Sequence, residues 1–418
     1  MWHNSLWLST LGHGRCYVTF DLLYRILKFL DYKVIYVRNF TDVEDKLIER
    51  ARRDFGSGKK FLELASKFIQ IFEEDISRLN CKRPDFEPRV TENIDQIIKF
   101  ISGLIDYGKA YVVNGDVYFS ISNFKNYGKL SKRTQDDLLV GARVQIREEK
   151  QSPLDFALWK STQDEDVYWE SPWGRGRPGW HIECSAMAKR YLGDQIDIHG
   201  GGMDLVFPHH ENEIAQSEGL SGLPFAKYWL HNAFITVDKE KMSKSLGNFV
   251  TLREALDSYH PQILRYYFLS HHYRIPVDFS YDAIISCAKA YAKICKHLEN
   301  IEPVEFEYSS PDNHPILINM LDYLLDDMNV SGMLGLVFDN LKKLQEDKKL
   351  GGKIKYLFSE ILGLDLVLIK EKDVEITPDI ERLILEREQA RKEKNWARSD
   401  ELRKRLQDLG YEVNDKKL

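Results

Sequence analysis

One stretch of this chain narrows its fold and chemistry more than any other. It opens at Pro178-Gly179-Trp180-His181-Ile182-Glu183-Cys184-Ser185 and closes at Phe207-Pro208-His209-His210-Glu211-Asn212-Glu213. Cys184, His209 and Glu213 supply a thiolate, an imidazole and a carboxylate, all zinc ligands, and a catalytic zinc keeps one position open for substrate. Pro208 suits the first turn of a helix. The run His209 to Gln216 reads as helix, which puts His209 and Glu213 one turn apart on one face, where both can reach one ion. The metalloprotease pattern H-E-x-x-H begins at His210-Glu211 but has Ile214 in place of its second histidine, which excludes that class.

Between the two halves lies Asp197-Ile198-His199-Gly200-Gly201-Gly202-Met203-Asp204. Three glycines after an apolar strand let backbone approach a nucleotide, and Asp204 can accept from a ribose hydroxyl. Downstream, Lys241-Met242-Ser243-Lys244-Ser245 sets two lysines among small hydroxyls, suited to a triphosphate and to charge that develops as a phosphoryl bond breaks. Together these motifs resemble a class I aminoacyl-tRNA synthetase. The two segments around the zinc-type residues are similar to those of the cysteinyl-tRNA synthetase family.

That resemblance implies an α/β fold, with a Rossmann-type nucleotide-binding catalytic domain, a connective insertion and an all-helical anticodon-binding domain at the C-terminus. On this reading residues 1–86 and 169–245 are the two catalytic halves, 87–168 the insertion, 246–290 the stem-contact region and 291–418 the helical domain. It implies cysteine–tRNA ligase activity: ATP with Mg2+ activates L-cysteine, and the product is transferred to tRNA(Cys). It further implies one zinc per chain on Cys184, His209 and Glu213, ATP contacts from Gly12, His13, Gly200, Gly201, Gly202, Asp204, Lys241, Ser243, Lys244 and Ser245, with His13, Lys241 and Lys244 catalytic, and a cysteine pocket with Thr41 and Trp180. A cytoplasmic monomer is expected. Two other readings stand beside it: the cysteine–glucosaminyl-inositol ligase of mycothiol synthesis, and a non-catalytic tRNA-binding relative.

The chemistry explains why zinc would be used. Cysteine and serine differ by one atom, and an apolar pocket separates such near-isosteres by only about a hundredfold. A soft thiolate ligand on zinc supplies the missing discrimination.

Composition sets few further limits. The 418 residues suffice for two or three domains. No apolar run approaches the roughly 20 residues of a membrane span, and no secretory leader opens the sequence. Cys16, Cys81, Cys184, Cys287 and Cys295 are few and irregularly spaced, unlike a disulfide framework. A net charge of -6 leaves nucleic-acid contact to local basic patches.

The N-terminus departs from the family. Gly12-His13-Gly14-Arg15, ahead of an amphipathic helix from Cys16 to Leu30, resembles the second half of the signature His-Ile-Gly-His, with Thr10 and Leu11 replacing its first two residues. The family's preceding Cys-Gly-Pro-Thr-Val-Tyr strand, whose cysteine is a fourth zinc ligand, has no counterpart in Met1 to Ser9. Codons can be chosen for Met1 to Thr10 whose next frame reads Cys-Gly-Thr-Thr-Val-Tyr-Gly-x-Ala-His. The expectation is therefore a one-base shift before Gly12, a lost first strand and a poorly active 418-residue product.

Along the rest of the chain, Tyr32 to Arg38 alternates as a strand should. Asn39-Phe40-Thr41-Asp42 follows, with Thr41-Asp42 also readable as a helix N-cap. Gly56-Ser57-Gly58-Lys59-Lys60 lacks phosphate-loop spacing and reads as a solvated loop. A hairpin is expected to turn at Asn114-Gly115, and helices to dominate from Asp282, with breaks at Ser309 to Asp312 and at Gly351-Gly352. The last helices carry Ile380, Leu383, Ile384, Trp396, Leu402, Leu406 and Leu409 on an apolar face, ended by Gly410, and basic residues from Arg387 to Arg405 on the other.

Overall fold

The computed structural model of the protein describes residues 2–4, 8–133, 150–237, 240–241, 250–369, 378–393 and 395–408. It divides into two compact units, Met1–Leu366 and Val367–Leu418. Chain order begins β1 (Trp2–Asn4), α1 (Leu11–Phe29), β2 (Asn39–Thr41), α2 (Asp45–Phe55), α3 (Phe61–Arg78) and α4 (Ile94–Asp106). A four-stranded antiparallel sheet follows, made of β3 (Ala110–Val113), β4 (Asp116–Phe119), β5 (Phe156–Ser161) and β6 (Gly176–Pro178). Then come α5 (Trp180–Leu192), β7 (Ile196–Gly202), α6 (Glu211–Ser221) and β8 (Ala226–Asn232). After β9 (Ile235–Val237) and β10 (Glu240–Lys241) the chain is mainly helical, with α7 (Leu252–Ser258), α8 (Pro261–Leu269), β11 (Val277–Phe279), α9 (Tyr281–Leu298), α10 (Pro315–Leu325), α11 (Val330–Glu346) and α12 (Lys348–Tyr356).

The parallel ladders arise where helices alternate with strands, as in nucleotide-binding α/β units. β1 pairs in parallel with β2 and β7 with β8. Among the described residues no ladder joins the two pairs. Between them, against α1 and α5, lies an apolar cavity of about 140 Å³ lined by Phe20, Leu23, Leu27, Met187, Ile196 and Ile198. This corrects two expectations. A strand does precede α1, at Trp2–Asn4. The run Tyr32 to Arg38 forms no strand: its end, Tyr36 to Arg38, bonds to Asp85 and Phe86 through an isolated bridge, and strand pairing begins only at Asn39–Thr41.

Local signals explain most boundaries. Asn114 and Gly115 both adopt positive φ, 51° and 88°, and close the β3–β4 hairpin as the Asn-Gly pair requires. Gly56, at φ 73°, ends α2. Thr41 and Asp42 do not cap α2, which starts after Glu44; Asp42 instead accepts from the backbone N–H and hydroxyl of Thr91. Gly351-Gly352 is no break either. Both lie inside α12, where a Cβ would strike the carbonyl oxygens of Leu344 and Glu302, so glycine serves close packing there.

The core of the first unit runs from Leu47 and Phe61 through Ile97 and Phe119 to Trp159, Ile182, Ile214 and Phe225, joining α2–α4, the antiparallel sheet, α5 and α6. Trp159 is fully buried, edge-on to Trp173, and anchors the core beside the antiparallel sheet. In the second unit α13 (Pro378–Lys392) and α14 (Trp396–Asp408) pack through Leu383, Ala390, Leu402 and Leu406. Here the expected faces shift: Trp396 is 60% exposed and Arg387 is buried. Leu409 and Gly410 lie outside the described residues.

Candidate active site

The zinc-type residues converge from two helices. Cys184 sits in the second turn of α5. Phe207 is extended, at φ -140° and ψ 132°, and helical geometry begins behind it, so Pro208 opens the turn that carries His209 into α6. His209 and Glu213 then lie one turn apart, with Nε2 of His209 3.6 Å from Oε1 of Glu213. The donor atoms of Cys184, His209 and Glu213 all lie within 4.8 Å of one another, and all three residues are buried.

The surroundings fit a metal. Oε1 of Glu213 is buried and accepts no hydrogen bond among the described residues, a costly state for a carboxylate with nothing to coordinate. Burial pushes the Cys184 thiol well up and the His209 imidazole down to about 4. Burial would also raise the Glu213 carboxyl, but His199 and His209 outweigh it and hold it at about 2. A neutral imidazole and an ionised carboxylate are the forms that bind metal. Among the described residues no fourth thiolate, imidazole or carboxylate joins this triad, although Asn39 donates to the Cys184 sulfur at 3.5 Å.

Around the triad stand four histidines that the sequence motifs did not single out. His181 and His209 share a hydrogen bond between their Nδ1 atoms at 3.0 Å, and Nε2 of His199 meets Oε2 of Glu213 at 2.7 Å. Nδ1 of His210 meets Nε2 of His231 at 2.8 Å. His199, His210 and Glu213 form a second candidate ligand group sharing the same carboxylate. His199 lies at the middle of β7 and His231 next to the last residue of β8, so strand pairing and not sequence spacing brings them to the triad.

Burial lowers His209 and His231 from 6.5 to about 4. Between those values the unfolded chain holds more protons, so stability falls as pH falls. Glu213, depressed from 4.5 to about 2, adds to the same loss at lower pH. Urea denaturation of the metal-free protein is expected to show its midpoint declining from about pH 6.5 downward.

The cysteine-pocket candidates stand beside the triad. The Trp180 ring lies 4.5 Å from that of His209, and the Thr41 hydroxyl, at the carboxyl end of β2, donates to Oε2 of buried Glu183 at 3.0 Å. Glu211 and Asn212 hold the segment that follows the β3–β4 hairpin. Glu211 accepts from the backbone N–H groups of Gly128 and Ser131, and Asn212 accepts from the Tyr127 hydroxyl.

The nucleotide-binding candidates form a second cluster. Thr10 is the N-cap of α1, its hydroxyl accepting from the His13 N–H, while Nδ1 of His13 accepts from the Thr10 N–H at 3.1 Å. The ring proton is thereby directed to Nε2. Asp204 acts electrostatically on His13, so the two face one region. Gly200 and Gly201 lie inside the ladder, and a Cβ on Gly200 would strike the Leu230 carbonyl and the Phe20 ring. Gly200 lets Phe20 of α1 press on the sheet, Gly201 faces Leu205 and His210, and Gly202 stands at the strand end beside Asp204. Lys241 is in β10, Ser243, Lys244 and Ser245 lie outside the described residues, and beyond them Thr251 bridges Thr10, bringing that motif's downstream flank to the start of α1.

Comparison with known proteins agrees with this geometry. Residues 7–289 match the family model for the class I (C) catalytic domain of tRNA synthetases, and residues 373–418 that for the cysteinyl-tRNA ligase anticodon binding domain. A cysteine–tRNA ligase of Caldicellulosiruptor saccharolyticus is 45% identical over 97% of this chain and 90% of its own length. One of Trichlorobacter lovleyi is 44% identical over 94% and 88%. Among solved structures, Mycobacterium tuberculosis methionyl-tRNA synthetase bound by methionyl-adenylate superimposes with a TM-score of 0.56 at 15% identity, covering 87% of this chain and 88% of that one. A LeuRS ternary complex from Agrobacterium radiobacter reaches 0.59 at 11%, covering 87% and 83%. With a family-specific catalytic match over most of its length and the matching anticodon module behind it, the chain belongs to the class I cysteinyl-tRNA synthetase family.

Proposed function

We propose that the chain is a cysteine–tRNA ligase whose selectivity for cysteine resides in the buried triad under Trp180. The observation that carries this is the convergence of Cys184, His209 and Glu213, with a buried carboxylate oxygen that accepts no hydrogen bond among the described residues, beside the Trp180 and Thr41 wall. A zinc ion held by these three residues would supply a soft Lewis acid for the substrate thiolate, which an alcohol cannot match.

The remaining residues position the reacting groups. Thr41 and Glu183 fix the pocket wall on the side of β2. His13, with its proton on Nε2 at the N-terminus of α1, offers a donor and a favourable helix end to the phosphates of ATP. Asp204 takes the ribose hydroxyls. The cysteine carboxylate attacks the α-phosphorus, forming the mixed anhydride and releasing pyrophosphate, and positioning and charge stabilisation dominate such a step. Lys241 and Lys244 fit the departing phosphates. The cysteinyl group then passes to the terminal ribose of tRNA(Cys) and AMP leaves.

The anticodon-domain match favours a tRNA substrate over the glucosaminyl-inositol acceptor. No helix among the described residues is long and apolar enough to cross a membrane; the cytoplasm and a monomeric state belong to the same proposal. Cysteine-dependent ATP–pyrophosphate exchange tests it. Exchange with cysteine, at least a thousandfold weaker with serine, is expected. A zinc-loaded, folded protein with no exchange would overturn the proposal in favour of a non-catalytic tRNA-binding role.

A further inference from the structure

A cavity of about 350 Å³ opens beside Trp180, between the insertion sheet and the start of α2. Thr41, Trp180 and Glu183 line it on the side of the cysteine pocket, and Lys160 and Arg177 on the side of the insertion. None of Gly12, His13, Gly202 and Asp204, read above as contacting ATP, borders it. It is larger than a cysteine molecule needs.

Its charged wall has an unusual construction. Lys160 on β5 and Arg177 on β6 are directly opposed cross-strand partners. Two like charges so placed repel, and an anion between them offsets that cost. Asp45 fills that place, 3.0 Å from Arg177 and 3.8 Å from Lys160. The two cations differ in how firmly they are held. Arg177 is mostly buried and also bonds Asp164 at 3.0 Å and the Val167 carbonyl, so its guanidinium is fixed. Lys160 and Asp45 are each 52% exposed and barely within ion-pair distance. Such a pair contributes about 0–1 kcal/mol and exchanges readily. A second anion can therefore take the lysine without disturbing the arginine. Asp45 also lies in the first turn of α2, where the helix dipole favours negative charge.

We propose that Lys160 and Arg177 receive the last phosphodiester of the single-stranded 3′ end of the RNA acceptor, with Asp45 holding the place until it arrives. This rests on the ligase reading above. The terminal ribose must reach the cysteinyl carbonyl, and Thr41 and Trp180, read above as the cysteine pocket, border this cavity while the residues assigned to ATP do not. A phosphate held between the two cations leaves one nucleoside to fill the cavity.

The test compares Lys160→Ala and Lys160→Arg with the unaltered full chain. The lysine is half-exposed, so folding is retained. For Lys160→Ala, kcat/KM for tRNA is expected to fall about tenfold. The slope of its logarithm against log salt should flatten by about 0.7, the value for one single-strand phosphate contact. Pyrophosphate exchange and the KM for ATP stay within twofold, and Lys160→Arg recovers most of the loss. An unchanged tRNA kcat/KM, an unchanged salt slope, or exchange falling in parallel with transfer would overturn the assignment. Absence of exchange in the unaltered chain would instead bring down the ligase reading, and this proposal with it.

Discussion

Replacing Cys184 with serine is expected to weaken zinc binding by more than the 10–100-fold typical of losing an outer-sphere partner. The oxygen that replaces the sulfur is a poor zinc donor, and His209 and Glu213 remain as the other members of the group. Two of three donors do not hold the metal against a chelator. Discrimination should fall with it: once the soft ligand site is gone, cysteine and serine are separated only by shape, about a hundredfold or less. Competition with a chromophoric chelator reads the first effect, and exchange with each amino acid reads the second. Full zinc occupancy in the Cys184→Ser protein would remove Cys184 from the ligand set. The unchanged far-ultraviolet circular dichroism expected of this substitution separates loss of metal from loss of fold.

The largest stability effect is expected at Arg265. This arginine on α8 is fully buried. It pairs with Asp21 of α1 at 2.5 Å and donates to the carbonyl oxygens of Leu79 and Leu362. Gly363 lies against it, where a Cβ would crowd the guanidinium. Arg265→Met keeps the approximate length but strands two carbonyls and removes one of the two cations on Asp21, the other being Arg25 at 2.7 Å. Breaking a buried pair in this way costs about 3–5 kcal/mol. Urea denaturation should show the midpoint falling with little change in slope. A loss below about 1 kcal/mol would mean that water or Arg25 compensates fully.

Much of the site was legible because its parts obey short-range rules. The His209 and Glu213 pair follows from helix periodicity and Pro208, and the β3–β4 hairpin follows from Asn114-Gly115. The family resemblance was carried by motifs of the same local kind. What escaped depended on contacts distant in sequence. The imidazoles of His181, His199, His210 and His231 meet only after α5, β7, α6 and β8 assemble, and nothing in their spacing announces it. The strand expected at Tyr32 to Arg38 had the right alternation but found only an isolated bridge at its end, and the ladder with β1 formed at Asn39–Thr41. Gly351-Gly352 carried a break signal in the sequence and a close helix contact in the fold. Glycine admits both, and only the neighbouring backbone decides.

The separation of the two parallel ladders has a consequence for hydrogen exchange. β7 bonds to β8 along one edge, and along its other edge the apolar cavity lies between it and the β1–β2 pair. Amides at the start of β7 that point into that space face no ladder carbonyl among the described residues, so they should exchange with solvent deuterium like those of an outer strand. The β1–β2 pair and the β7–β8 pair are then two separate opening units. Deuterium uptake in the first should leave protection in the second intact.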